Sequence, residues 1–214
     1  MTVSREDYLK AIYELGGERK KVATKDIAKA LDISPPSVSE MLKKLEKEKV
    51  LAYEVYKGVS LTRKGTLEAV RIKKIHSLWE VFLVEKLKYD LADVHEEADL
   101  LEHITSKKLE ERLEAFLEYP KVCPHGTPLY QDEYLFEYSP LTEIQPGEEV
   151  ILKRLEDDKE FLNSISNLGL NIGDKLKILQ YLEKEDKYTV KINNRLMDIT
   201  GMQANNIYVN REKL

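Results

Sequence analysis

The sequence predicts a mainly α-helical chain closed by a small all-β domain, and three observations carry the prediction. Apolar residues recur at helical spacing from the N-terminus to about residue 117, broken by one short pair of strand-like runs. Five of the seven prolines then fall in one stretch without helical period, PKVCPHGTPLYQDEYLFEYSPLTEIQPGE, which reads as a linker. Beyond about residue 146 short strand-like runs alternate with turn signals.

Taken in order, Ser4 caps a helix over residues 4–16, with Arg5, Glu6 and Asp7 in its first turn and Tyr8, Leu9, Ile12 and Leu15 on one face. Thr24 is expected to cap a short second helix. In DISPPSVSEMLKKLEKEKVL, Ser34 caps and the prolines sit in a first turn that tolerates them, while Val38, Met41, Leu42 and Leu45 form the stripe of a third helix. LAYEVYKGVSLT follows as two runs of strand formers about a Lys57-Gly58 turn, a β-hairpin. Three helices and a hairpin in about 65 residues outline a winged helix-turn-helix. RKGTLEAVRIKKIHSLWEVFLVEKL, VHEEADLLEHI and SKKLEERLEAFLEYP give three more helices, the last ending at Pro120. VILKRL, DKLKILQYL, KYTVKIN and ANNIYV are strand-like, with one short helix in DKEFLNSISNLG, and suggest a small β-barrel. The expected division is 1–72, 73–140 and 141–214.

With 42% apolar and 34% charged residues the 214-residue chain has the composition of a soluble globular protein. It shows no membrane-length apolar run and no signal-peptide pattern. Its single cysteine, Cys123, excludes an internal disulfide framework and fits a reducing cytosol, so the expected location is the cytoplasm. The net charge of −5 is uneven: residues 1–75 carry +6 and residues 76–214 carry −11. A basic front end suits phosphate, and an acidic body suits cations or water.

All four histidines and the cysteine lie between residues 76 and 125. In HEEADLLEH, a helix places His95, Asp99, Glu102 and His103 within an arc of about 100°, and such an array of carboxylates and imidazoles suits a divalent cation. His76 and Glu80 repeat the i, i+4 spacing on the preceding helix, and Cys123 and His125 add a thiol and an imidazole. The bland alternative is a solvated acidic helix, and Glu96, Glu97 and Glu110 read as surface carboxylates. The enzymatic alternative, a metalloenzyme, lacks HExxH, a phosphate loop, a nucleophile grouping, CxxC and paired ExxH motifs. A non-enzyme without a small organic substrate or a membrane role is therefore expected.

At the other end, Ser34, Pro35, Pro36, Ser37, Ser39 and Glu40 open the helix that would enter the major groove, and Lys43, Lys44 and Lys47 would meet phosphates. Without Arg or Asn for bidentate reading, base readout is expected to be modest and A·T-leaning. Lys57 at the hairpin tip would touch the backbone or minor groove. The alternative use of such a fold is protein contact.

Read together, EDYLKAIYEL, SPPSVSEMLKKLEK, YKGVSLT, HSLWEVFL, HEEADLLEH and YPKVCPHG resemble, in order, the DtxR/MntR family of metal-dependent transcriptional repressors. The resemblance is nearest to its long, three-domain, manganese-responsive branch of streptococci and relatives. LGLNIGDKLKIL is similar to the SH3-like, FeoA-type domain. The resemblance implies a primary metal site of Asp7, Asp99, Glu102 and His103, with Cys123 as a further ligand. It implies a second site of His76, Glu80 and His95 completed by a C-terminal carboxylate, for which Glu160 is the choice; His125 is an added candidate. It also implies a homodimer that, loaded with metal, represses metal-uptake genes by binding double-stranded operator DNA. Three departures stand out: Asp99 replaces the branch's usual Glu, PHGTPLY replaces a glycine pair, and Lys10 replaces an acidic residue with which two-domain members bind a second manganese ion. The iron-responsive branch carries Met and Cys where this chain has Asp7 and Asp99, so these hard carboxylates favour Mn²⁺, while Cys123 keeps Fe²⁺ and Zn²⁺ as alternatives.

Overall fold

Ser4 starts the fold with a reciprocal cap. Its hydroxyl accepts from the Asp7 backbone N–H at 3.2 Å, and the Asp7 carboxylate accepts from the Ser4 N–H at 2.6 Å through Oδ2. Two orphan donors are satisfied, and helix α1 (Arg5–Glu14) begins with its first turn fixed. Where Thr24 is expected to cap, Ala23 holds the N-cap position without a side-chain bond, and Thr24 is the first residue of α2 (Thr24–Ala30). Helix α3 (Pro35–Lys47) follows the sequence reading: Ser34 accepts from the Ser37 N–H at 3.4 Å, with the two prolines in the first turn. Strands β1 (Leu51–Glu54) and β2 (Gly58–Leu61) pair antiparallel with Leu51 opposite Leu61 and Glu54 opposite Gly58. Leu9, Ile12, Ile27, Val38, Leu42 and Leu45 are fully buried at the centre of this winged helix.

The structure is a computed structural model that describes residues 4–54, 57–129 and 138–211. Val55 and Tyr56 of the hairpin and residues 130–137 of the expected linker lie outside the described residues. The chain divides into two units, residues 1–76 with 102–105, and residues 77–101 with 106–214. Helix α4 (Arg63–Glu85) is followed by α5 (Val94–Glu102) and α6 (Lys107–Phe116). Helix α5 stops at Glu102, so His103 lies in the turn beyond the helix that the sequence suggests for it. Beyond α6, Glu118 and Tyr119 adopt positive φ of 58° and 57°, and the helix has ended before Pro120 is reached. Glu110, read from sequence as a surface carboxylate, is buried.

In the second unit β3 (Ser139–Pro140), β4 (Glu149–Leu155), β5 (Lys175–Leu182), β6 (Lys187–Ile192), β7 (Arg195–Thr200) and β8 (Ile207–Arg211) form one antiparallel sheet in the order β3-β8-β4-β5-β6-β7. Leu141, Leu152, Ile178, Val190 and Ile207 are buried within its core. Helix α7 (Lys159–Ile165) is capped by Asp158, whose carboxylate accepts from the Phe161 N–H at 2.8 Å. The sequence reading misses β7 and the short α8 (Gly201–Asn205); Ala204 and Asn205, read as strand, end α8 instead. Gly126, with φ of 88°, brings the loop after α6 against β4: a Cβ there would meet the Lys153 carbonyl oxygen at 2.0 Å. The Leu155 N–H donates to the His125 carbonyl at 2.8 Å beside it. Among the described residues no helix is long and apolar enough to cross a membrane.

Candidate metal centres and nucleic-acid interface

In the first unit the capping arrangement of α1 also orients a ligand. Asp7 gives Oδ2 to the Ser4 N–H, and its Oδ1 lies 2.8 Å from His103 Nε2. His103 Nδ1 is 2.7 Å from Glu6 Oε2. Glu102 presents Oε1 at 3.8 Å from His103 Nε2, and this buried oxygen has no hydrogen-bond partner among the described residues. Its other oxygen, Oε2, lies 2.7 Å from His76 Nδ1 and 3.1 Å from Lys10 Nζ. Asp7, Glu102 and His103 thus offer ligand atoms all within 4.8 Å of one another. Burial alone would lower the His103 pKa, but the Glu6 hydrogen bond and the charges of Asp7 and Glu102 outweigh it and hold the imidazole above its ordinary value.

A second grouping is built in the second unit from α4, α5, the loop after α6 and the residues after β4. Glu80 Oε1 is 3.7 Å from His95 Nδ1 and 3.5 Å from His125 Nδ1. Asp157 Oδ2 is 3.2 Å from His95 Nδ1, and its Oδ1 is 3.8 Å from His125 Nε2. Cys123 Sγ lies 3.9 Å from His125 Nδ1, and Glu80, Cys123 and His125 are all buried. The His125 Nε2 approaches the Leu91 carbonyl at 3.3 Å; donation there leaves Nδ1 facing the thiol and the carboxylate. Burial again lowers, but Cys123, Glu80 and Asp157 push the His125 imidazole up to about 11. Burial raises the Asp157 carboxyl, yet the two histidines hold it below its ordinary value.

The expected residues are therefore distributed in a particular way. Asp7, Glu102 and His103 come together, and His76, expected in the second site, meets Glu102. Asp99 Oδ2 lies 3.5 Å from His95 Nε2, and Cys123 lies with Glu80 and His125. Glu160 is exposed in the first turn of α7, and it is Asp157 that stands beside His95. The reason is local: Asp158 begins a new helix, so the carboxylate before the cap ends at the histidines and the one after it is carried into α7. Sequence reasoning missed Asp157 because four acidic residues crowd into EDDKE; the Asp158 cap signal is what could have separated them.

On α3, Ser34, Pro35, Pro36, Ser37, Glu40, Lys43, Lys44 and Lys47 are exposed, opposite the buried Val38, Leu42 and Leu45. Ser39 is half-buried and its hydroxyl donates to the Pro35 carbonyl at 3.1 Å, which turns it away from base reading. Ser34 and Ser37 share a hydroxyl contact of 2.8 Å. Lys44 pairs with Glu40 at 2.8 Å and Lys57 with Glu54 at 3.1 Å, all exposed pairs that a phosphate can outbid.

A basic winged helix joined to carboxylate–imidazole centres defines a class, the metal-dependent regulators of transcription. Family models match along the chain: "iron dependent repressor, N-terminal DNA binding domain" over residues 1–59, "iron dependent repressor, metal binding and dimerisation domain" over 62–131, and "FeoA domain" over 139–211. The chain belongs to the DtxR family of metal-dependent transcriptional repressors. It is similar to the manganese regulator SloR, with 38% identity, 99% of this chain and 100% of that one covered, and a TM-score of 0.74. A manganese-dependent transcriptional repressor solved in complex with manganese is 28% identical, with 97% and 100% covered and a TM-score of 0.85. An uncharacterised HTH-type transcriptional regulator of Methanocaldococcus jannaschii is 42% identical over 119 residues, 55% of this chain and 95% of its own length.

Proposed function

We propose that the chain is a manganese-responsive repressor of metal-uptake genes, acting in the cytoplasm as a homodimer on double-stranded operator DNA. The observation that supports this most is the buried Glu102 Oε1, without a hydrogen-bond partner among the described residues and facing the Asp7–His103 pair. A buried carboxylate oxygen left this way is costly unless a cation completes it. Two carboxylates and an imidazole are hard or borderline donors, and they fit Mn²⁺. A divalent cation bound there supplies the positive charge that Glu102 Oε1 and Asp7 Oδ1 would share.

Asp7 is the residue that turns occupancy into a signal. It belongs to α1 of the winged helix, whereas Glu102 and His103 end α5. Held by Ser4 through Oδ2, it keeps Oδ1 directed at His103. Engaging Oδ1 fixes α1 to the end of α5 and, in a dimer, favours recognition helices spaced by about one helical turn of DNA, roughly 34 Å, or a multiple of it. DNA must then tighten metal binding by the same factor. The reading assigns no catalysis, no organic substrate and no membrane contact.

One observation favours a second reading. Cys123 beside Glu80 and His125 brings a thiol into the other grouping, and a thiolate welcomes Zn²⁺ or Fe²⁺. On that reading the repressor answers to iron or zinc. The test is binding of the full chain to its own upstream DNA under anaerobic titration with Mn²⁺, Fe²⁺ and Zn²⁺. A shift driven by Mn²⁺ at the lowest free concentration relative to cellular supply supports the first reading. DNA binding indifferent to all three metals overturns both.

A further inference from the structure

The Glu102 side chain is fully buried, and a carboxylate so placed needs a charge beside it. Lys10 provides one. It stands on α1 three residues after Asp7, with 11% of its side chain exposed, and its Nζ lies 3.1 Å from Glu102 Oε2 and 3.0 Å from His76 Nδ1. Those two atoms are themselves 2.7 Å apart. An ammonium in that position can donate to a carboxylate oxygen and to an imidazole nitrogen, which are the atom types a divalent ion of this kind takes as ligands. The carboxylate is thereby split: Oε2 accepts from Lys10, whose ammonium bridges it to His76 Nδ1, and Oε1 faces His103 without a hydrogen-bond partner among the described residues.

We infer that Lys10 is a resident cation of this centre, a positioning residue that occupies Oε2 and His76 Nδ1 and so restricts the centre to a single divalent ion bound through Oε1. The inference rests on the metal-centre reading of Asp7, Glu102 and His103. Lys10 compensates Glu102 when no metal is bound, and its charge opposes entry of a second ion on the His76 side.

The test counts Mn²⁺ bound per chain by equilibrium dialysis and elemental analysis, using the full-length protein and the variants His103→Ala, Lys10→Glu, Lys10→Gln and Lys10→Arg. Lys10→Glu replaces the ammonium with a ligand and is expected to bind one ion more than wild type. Lys10→Arg keeps a cation and is expected to leave the count unchanged. His103→Ala is expected to bind one ion fewer. Metal-free melting gives an independent readout: Lys10→Gln should melt below wild type, and saturating Mn²⁺ should close most of the gap, while Lys10→Arg stays near wild type. If Lys10→Glu does not fold without metal, Lys10→Gln decides, through its count and its rescue by Mn²⁺. A His103→Ala count equal to wild type overturns the centre itself. A loss in His103→Ala with no gain in Lys10→Glu, or a Lys10→Gln defect that Mn²⁺ does not repair, overturns the role of Lys10 alone.

Discussion

The His103 imidazole faces Glu6, Asp7 and Glu102, and the proton these carboxylates favour competes with any metal ion for the same ring. Its pKa in the fold lies above the ordinary 6.5. The proton therefore stabilises the metal-free fold fully below about pH 6.5, and that contribution fades as pH rises through the raised value. A ligand histidine must be neutral, so Mn²⁺ affinity is expected to run the opposite way, climbing with pH while the ring holds its proton and levelling once pH passes the raised value. Calorimetry across pH in buffers of different ionisation heat reads both the slope and the released proton. His103→Gln should flatten the slope and remove the release; a variant with the wild-type slope would show that another group is the competitor. At this scale helix periodicity set the face of Glu102 and the Ser4 cap set Asp7 in a first turn, whereas the pairing of Asp7 with Glu102 and His103 was expected only from the family resemblance. The sequence was unreadable at Asp157, because side-chain identity alone does not tell which of several adjacent acidic residues a strand end and a helix cap bring to the histidines.

Helix α3 shows how far an element can be read from its own residues. Ser34, the two prolines and the Val38–Leu42–Leu45 stripe fix its start and its buried face, so the exposed face follows. Strand β7 is the contrary case. Of its residues only Ile199 is buried, so no alternation of apolar and polar residues marks it, and its place at the edge of the sheet is decided by pairing with β6. Helix α5 falls between: its face is legible, but its end at Glu102 depends on the turn that carries His103 toward Asp7. For α3 the exposed lysines lead to a division of labour. Replacing Lys43, Lys44, Lys47 or Lys57 by Ala should weaken binding to all DNA sequences and reduce the salt slope by about one unit each. Ser37→Ala or Pro36→Ala should instead shift sequence preference. Filter binding or anisotropy over a salt series, on operator and scrambled DNA, checks this; a lysine variant that changes preference at constant slope contradicts it.

At the scale of the whole molecule, α6 carries exposed apolar groups that suit an interface between two copies of the chain. Leu109 is 42% exposed and Phe116 is 61% exposed, and seven residues apart they share one helix face. Tyr119, just beyond, is 59% exposed. Large apolar groups in a contiguous exposed patch mark an association surface, and the match to a metal binding and dimerisation domain covers these residues. Phe116→Asp is therefore expected to convert the dimer to a monomer in sedimentation velocity while the helical circular dichroism is kept. A dimer of wild-type affinity in that variant places the interface elsewhere.

The proposed coupling of metal occupancy to DNA binding runs through Asp7, since it alone among the Asp7, Glu102 and His103 group is carried by α1. The direct measurement is calorimetric Mn²⁺ titration beside operator binding at saturating Mn²⁺, for wild type and Asp7→Ala. Because Asp7 also caps α1, Asp7→Asn, which keeps an acceptor for the Ser4 N–H, is measured in parallel to separate loss of the cap, worth about 1 kcal/mol, from loss of the link. Both variants are expected to retain weakened metal binding, while the gain in operator affinity produced by metal, typically about 1–3 kcal/mol for allosteric pairs, falls toward zero. Metal binding together with a full metal-driven gain in operator affinity in Asp7→Ala would show that the signal reaches DNA by another route.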